Sequence, residues 1–203
     1  MKNPFRFAGI TIAAVLLGGC ITLDVAGNGT MPDLRRHTLD VVAGVAARPR
    51  SLPALAVRPF GARSRYDIRV VRREGAEDFS YLEFERWGEV PADTVTDAVR
   101  EGLATSGAFA FVSASGDALA VDRFLDGYLL AFDLVKTPKG PWKARFGARL
   151  SLSDRDGKML HTAVYEATRD LPGDSPTGLG PAMAAAVGDA VNRALADWTG
   201  AAK

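Results

Sequence analysis

Cysteine occurs once and histidine twice in the 203 residues, and both scarcities exclude chemistry. One cysteine forms no internal disulfide. His37 and His161 lie far apart, HExxH is absent, and no His/Cys/Asp/Glu cluster has the spacing of a zinc site. There is no P-loop and no G-x-S-x-G elbow; Gly102-Leu103-Ala104-Thr105-Ser106-Gly107 lacks the elbow's spacing. Asp154-Arg155-Asp156-Gly157 begins like a calcium loop, but its twelfth position is Tyr165, not glutamate. Gly178-Leu179-Gly180-Pro181-Ala182-Met183 begins like GxGxxG and ends in methionine, with no strand before it. Lys and Arg number 25 against 24 Asp and Glu, without blocks of like sign. That balance gives no global reason to bind nucleic acid. The chain reads as non-catalytic, without a metal, a cofactor or a nucleic-acid partner.

What is present begins at the first residues. Lys2 and Arg6 lead into the apolar run Phe7 to Leu17, which closes on Gly18-Gly19. A spanning helix needs about 20 apolar residues, so this run is too short to cross a membrane. The layout is that of a secretory signal peptide. Leu17-Gly18-Gly19-Cys20 resembles the bacterial lipobox, whose cysteine is lipidated and becomes residue one after cleavage. A lone buried or free thiol is the alternative for Cys20. Anchoring takes two or more acyl chains, and the three that the resemblance implies suffice. Ile21 after the cysteine points to the outer membrane by the usual sorting rule. Loss of residues 1–19 removes Lys2 and Arg6 and no acid, turning a net charge of +1 into −1. The expected organisation is a signal peptide over 1–19, a lipidated tether over 20–36, and one domain over 37–199. An apolar fraction of 47% suits a single core.

Within that domain the periodicity predicts short strands at His37–Val42, Leu55–Phe60, Tyr66–Val70, Phe79–Phe84 and Phe109–Val112. Pro91 at a first turn, Asp93 beside it and Val95, Val99 and Leu103 at spacings of four predict a helix over Pro91–Thr105, closed by Gly107. Arg123–Val135 is apolar on both faces and so reads as a central strand. Strict alternation assigns Phe124, Tyr128, Leu130, Phe132 and Leu134 to one face and Leu125, Leu129, Ala131 and Val135 to the other. It also puts Asp126 and Asp133 on opposite faces, near solvent. Lys143–Ser153 alternates again, and Asp156-Gly157 is a two-residue hairpin turn that pairs Leu152 with His161, Ala148 with Tyr165 and Lys143 with Asp170. Met183, Val187, Val191, Leu195 and Trp198 mark a last helix, beginning near Gly180-Pro181. The fold expected is α+β: an antiparallel or mixed sheet with two amphipathic helices on one side.

Two features suit binding. Lys143, Arg145 and Arg149 form a stripe on one strand face, for anionic head groups or an acidic partner, unless it is a solvated face balanced by Glu166 and Asp170. Trp142, in a Lys-Gly-Pro-Trp loop, suits a partner or membrane contact, or ordinary packing.

Val57-Arg58-Pro59-Phe60, Tyr66 to Arg72, Tyr81 to Phe84, and Arg86-Trp87-Gly88-Glu89 before a helix resemble the ABC-type transport auxiliary lipoprotein family. His37-Thr38-Leu39 resembles the family's early aromatic-Thr-Leu strand, with histidine in the aromatic place. Its R-W-A-E-P-L stretch appears here with proline one residue late, at Pro91. The resemblance implies an outer-membrane lipoprotein facing the periplasm, docked onto an MCE-domain assembly with an inner-membrane ABC permease and ATPase. Arg86 and Trp87 are the most specific match. They serve either a partner or packing, with the tryptophan buried against the helix and the arginine bracing it. The competing functions are a lipopolysaccharide-assembly type partner of a β-barrel, and a small periplasmic hydrolase that would depend on His161 or a serine.

Overall fold

A computed structural model of the chain describes residues 33–39, 44–75, 78–115, 121–136, 140–173 and 175–200. Cys20, the expected leader, most of the expected tether, and Asp40–Val42 of the first expected strand lie outside them. In chain order the elements are β1 (Arg35–His37), β2 (Leu55–Val57), β3 (Gly61–Ala62), β4 (Arg69–Arg73), β5 (Phe79–Trp87), α1 (Pro91–Ser106), β6 (Val112–Ala114), β7 (Arg123–Lys136), β8 (Trp142–Asp154), β9 (Met159–Asp170) and α2 (Leu179–Gly200). All lie in the compact unit Asp33–Lys203.

The long apolar strand β7 organises the sheet. β8 runs antiparallel along one whole edge of it. The other edge is shared by three short strands, all parallel to β7: β2 at Arg123–Leu125, β3 at Tyr128–Leu129 and β4 at Asp133–Val135. β5 and β1 extend outward from β4, β6 from β2, and β9 from β8. The result is a mixed sheet of nine strands with two helices, an α+β fold. Parallel neighbours need long crossovers; the one from β4 to β7 contains β5, α1 and β6.

The helices form where the sequence predicts. Pro91 opens α1, and Gly107 closes it in the left-handed region at φ 70°, donating to the Ala104 carbonyl. Val95, Val99 and Leu103 of α1 and Met183, Val187, Val191 and Leu195 of α2 are buried with Phe132, Leu134, Phe146 and Leu150 of the sheet in one core. Burial of each such side chain contributes about 1.5–3 kcal/mol.

The strands depart from expectation in informative ways. β4 starts three residues late, because Asp67 Oδ1 accepts the Arg69 amide at 2.7 Å and Tyr66 closes a turn onto Arg63. Phe109 makes only an isolated bridge to Leu52, and the strand there is β6. Leu130 is a bulge: Leu129 pairs with Ala148 but Ala131 with Gly147. The bulge inverts the phase, so Leu125 and Leu129 share the helix side with Phe132 and Leu134. Asp126 and Asp133 then share the opposite face, and Asp133 is fully buried rather than near solvent. The β8–β9 register is as predicted from Leu152↔His161 to Lys143↔Asp170. Its turn is not two residues long. Gly157 donates to Asp154, and Asp154 to Lys158, around a three-residue loop with Gly157 at φ 81°; skipping Leu160 restores the register.

Candidate functional site

Trp87 ends β5 and lies in the core, 4.6 Å ring to ring from Phe132 and 5.9 Å from His37. His37 Nε2 meets Glu85 Oε2 at 2.6 Å, and Arg35 approaches the other oxygen of that carboxylate at 3.7 Å. β1 is thereby held to β5 by side chains as well as by its short ladder. Around this junction lies a cavity of about 100 Å³, lined by His37, Thr38 and Leu39, by Trp87 and Glu89, by Pro91 and Thr94, and by Phe132. It has room for about three waters or one small aliphatic side chain. Trp87 thus packs on the sheet and helps line a slot beside α1. Arg86 does not brace it: successive strand residues face opposite ways. The Arg86 guanidinium donates instead to the carbonyls of Leu82 and Glu85, at 2.8 and 2.9 Å.

On the opposite face of the sheet, Asp133 Oδ2 takes hydrogen bonds from Arg73 Nε and Arg145 Nε, each at 3.2 Å, and from Arg145 Nη2. Tyr66 folds over the pair and donates to the Leu130 carbonyl at 3.1 Å. Burial, and then the neighbouring Asp133 carboxylate, push the Tyr66 hydroxyl's pKa upward. The strand stripe keeps its common face, but its members differ. Lys143 pairs with Asp170 at 2.6 Å, Arg145 with Asp133, and Arg149 stands exposed between Tyr128 and Val164. Trp142 is not at a loop tip. It is the first residue of β8, half-buried, with the Lys136 ammonium 5.0 Å from its ring. The sequence pattern missed Asp133 with Arg73 and Arg145; the available signal was an acid within the apolar stretch Tyr128–Val135.

His161 faces α2. Its Nε2 lies 2.9 Å from the Tyr165 hydroxyl, which donates to Asp197 at 2.9 Å. With that hydroxyl proton directed at Asp197, the proton between the first two belongs to His161 Nε2. Among the described residues no serine takes part in this chain of hydrogen bonds. Among the described residues no three His, Cys, Asp or Glu side chains gather as a metal site, and no helix is long and apolar enough to cross a membrane.

The topology recurs in solved structures. A Xanthomonas campestris protein of family DUF330 superposes with a TM-score of 0.67 at 16% identity, covering 81% of this chain and 93% of its own. An uncharacterised protein superposes with a TM-score of 0.63 at 11% identity, covering 80% and 97%. At such identities the likeness shows the fold alone. No curated protein matches the chain. A family model is more specific: the ABC-type transport auxiliary lipoprotein component matches residues 37–197. The chain belongs to that family, an auxiliary lipoprotein component of ABC-type transport, and Arg86-Trp87 and His37-Thr38-Leu39 lie within the match.

Proposed function

We propose that this protein is the non-catalytic, outer-membrane-anchored docking subunit of an MCE-type lipid transporter, held by lipid on Cys20. In this reading it faces the periplasm and receives an MCE-domain protein driven by an inner-membrane permease and ATPase. The observation that carries the reading is the family match over residues 37–197. The slot at Trp87 supports it in physical terms: an aliphatic side chain from a partner fits a cavity that is too small for a lipid chain. The test is crosslinking in intact envelopes followed by mass spectrometry. Recovery of an MCE-domain protein is expected. Recovery of a large outer-membrane barrel without any MCE protein overturns the reading in favour of an envelope-assembly role.

A further inference from the structure

Three arginines stand side by side across three adjacent strands. Arg36 of β1 pairs with Arg86 of β5, and Arg86 pairs with Arg69 of β4. Directly opposed residues project to the same face, here the one turned away from Trp87 and the core. Like charges directly opposite one another weaken a ladder, so such a row favours negative charge placed beside it.

The row continues into aromatic rings. The Arg69 guanidinium lies 3.8 Å over Tyr81, Tyr81 meets Phe79 edge-on at 5.7 Å, and Arg65 lies 5.3 Å over Phe79. Arg65 Nε is buried without a hydrogen-bond partner. Four guanidiniums in this strip meet one carboxylate among the described residues, Asp67, which binds Arg69 at 2.6 Å. Beside them Ile68 is 47% exposed, Phe79 42% and Leu34 50%. Arginine interleaved with exposed aromatic and aliphatic side chains is the composition of an interfacial membrane contact. Guanidiniums pair with phosphates there, and rings sit at head-group depth.

Covalent connectivity favours the same occupant. The folded unit begins at Asp33, two residues before β1, and Arg36 is in β1 itself. The residues from Cys20 to Pro32 reach at most about 45 Å fully extended. A bilayer holding Cys20 is therefore within reach of this end of the chain.

We propose that the Arg36–Arg86–Arg69 row, with Arg65 and the Phe79 and Tyr81 rings, seats the domain on anionic phospholipid head groups of the membrane that anchors it. This rests on the reading of Cys20 as lipidated. The seat fixes how the domain stands on the bilayer, with the β1–β5–β4 end against the head groups.

The test uses the full chain carrying Cys20→Ser, so that no acyl chain contributes, sedimented with phosphatidylcholine vesicles with or without phosphatidylglycerol. The leader is common to every arm, so the readout is the ratio of anionic to neutral binding. Each arginine at an anionic surface is worth roughly fivefold in binding. Arg36→Gln should lower the ratio about fivefold and Arg36→Glu with Arg69→Glu at least tenfold, each with unchanged circular dichroism. Arg50→Glu with Lys158→Glu makes the same charge change at exposed positions elsewhere and should leave the ratio within about twofold. Equal loss in both double variants, equal binding to neutral vesicles, no binding, or complete competition by inorganic phosphate overturns the proposal. The intact mass of the protein carrying its native Cys20, purified from cells, tests the anchor separately. A mass without acyl chains overturns the lipidation reading, while the vesicle ratio still decides the row.

Discussion

Gly180, in the first turn of α2, packs directly on the backbone carbonyl of Thr38. A β-carbon at that position would come closer to the Thr38 oxygen than real β-carbons ever approach an atom. Backbone lies on one side and the start of a 22-residue helix on the other, so neither yields easily. Gly180→Ala should therefore cost about 1–3 kcal/mol through overpacking, although alanine is ordinarily about 1 kcal/mol better than glycine within a helix. Gly200→Ala is the control, since nothing lies within 4 Å of its added carbon. Urea midpoints should fall for the first variant and hold or rise for the second.

Asp133 is shared by Arg73 and Arg145, and it is fully buried. Removing it leaves Arg73, itself buried, without that charge partner. Asp133→Ala should destabilise by about 3–5 kcal/mol, the usual cost of breaking a buried pair from one side. Arg145 reaches solvent, with its side chain 32% exposed, so Arg145→Met should cost clearly less than Arg73→Met. Chemical denaturation of the three variants checks the order.

The slot beside Trp87 allows folding and docking to be separated. Trp87→Ala removes a core ring and should cost about 3–5 kcal/mol, so loss of docking in that variant would be uninformative. Thr94 lines the same cavity from α1 and is only half-buried. Thr94→Phe should fill the slot with little change in thermal midpoint and, if the proposed MCE-domain partner docks there, reduce crosslinking to it severalfold. An unchanged crosslink yield removes the slot from the interface.

Alkaline pH should unfold the domain through its tyrosines. Burial first, and then the hydrogen bond to Asp197 and its charge, hold the Tyr165 pKa above the ordinary 10.0. An unfolded tyrosine loses its proton near that value while the folded one keeps it. The unfolded state then binds fewer protons, and stability falls as pH rises above about 10. Below that window both states hold the proton and this source is silent. Denaturant midpoints followed from neutral pH to about pH 11 should decline, and Tyr165→Phe should flatten the decline, with Tyr66→Phe giving the remainder.

Elements governed by local rules were legible in the sequence. The bounds of α1, the centrality of β7, the β8–β9 register and the family itself all follow from periodicity, capping or motif. What escaped depends on partners distant in the chain. Alternation within Arg123–Val135 carries no mark of the bulge at Leu130, because that bulge answers to β8 on one edge and to β3 and β4 on the other. The Asp133 cluster was lost with it, and so was the arginine row. Arg36 and Arg69 carry no mark in the sequence, and Arg86 is marked only by the family resemblance, until the pairing of β1 and β4 with β5 aligns the three.

The bulge itself yields the sharpest test of the strand. Because Leu130 has no partner on β8, deleting it would join Leu129, opposite Ala148, directly to Ala131, opposite Gly147. Every side chain on both sides of the deletion would keep its face, so the β7–β8 ladder should close into regular alternation. The costs are the Tyr66 hydrogen bond to the Leu130 carbonyl and a shortened span between the β3 and β4 pairings. Together these should amount to about 1–3 kcal/mol, in line with a lost hydrogen bond and local repacking. Deleting Arg149 from the unbulged part of β8 removes only a surface side chain, yet it inverts the faces of every residue on one side of the cut. The expected outcome is a folded, cooperative Leu130 deletion and an Arg149 deletion that does not fold, read by near-ultraviolet circular dichroism and urea unfolding. The reverse order would show that Leu130 is a regular ladder residue and that the two aspartates of β7 do not share a face.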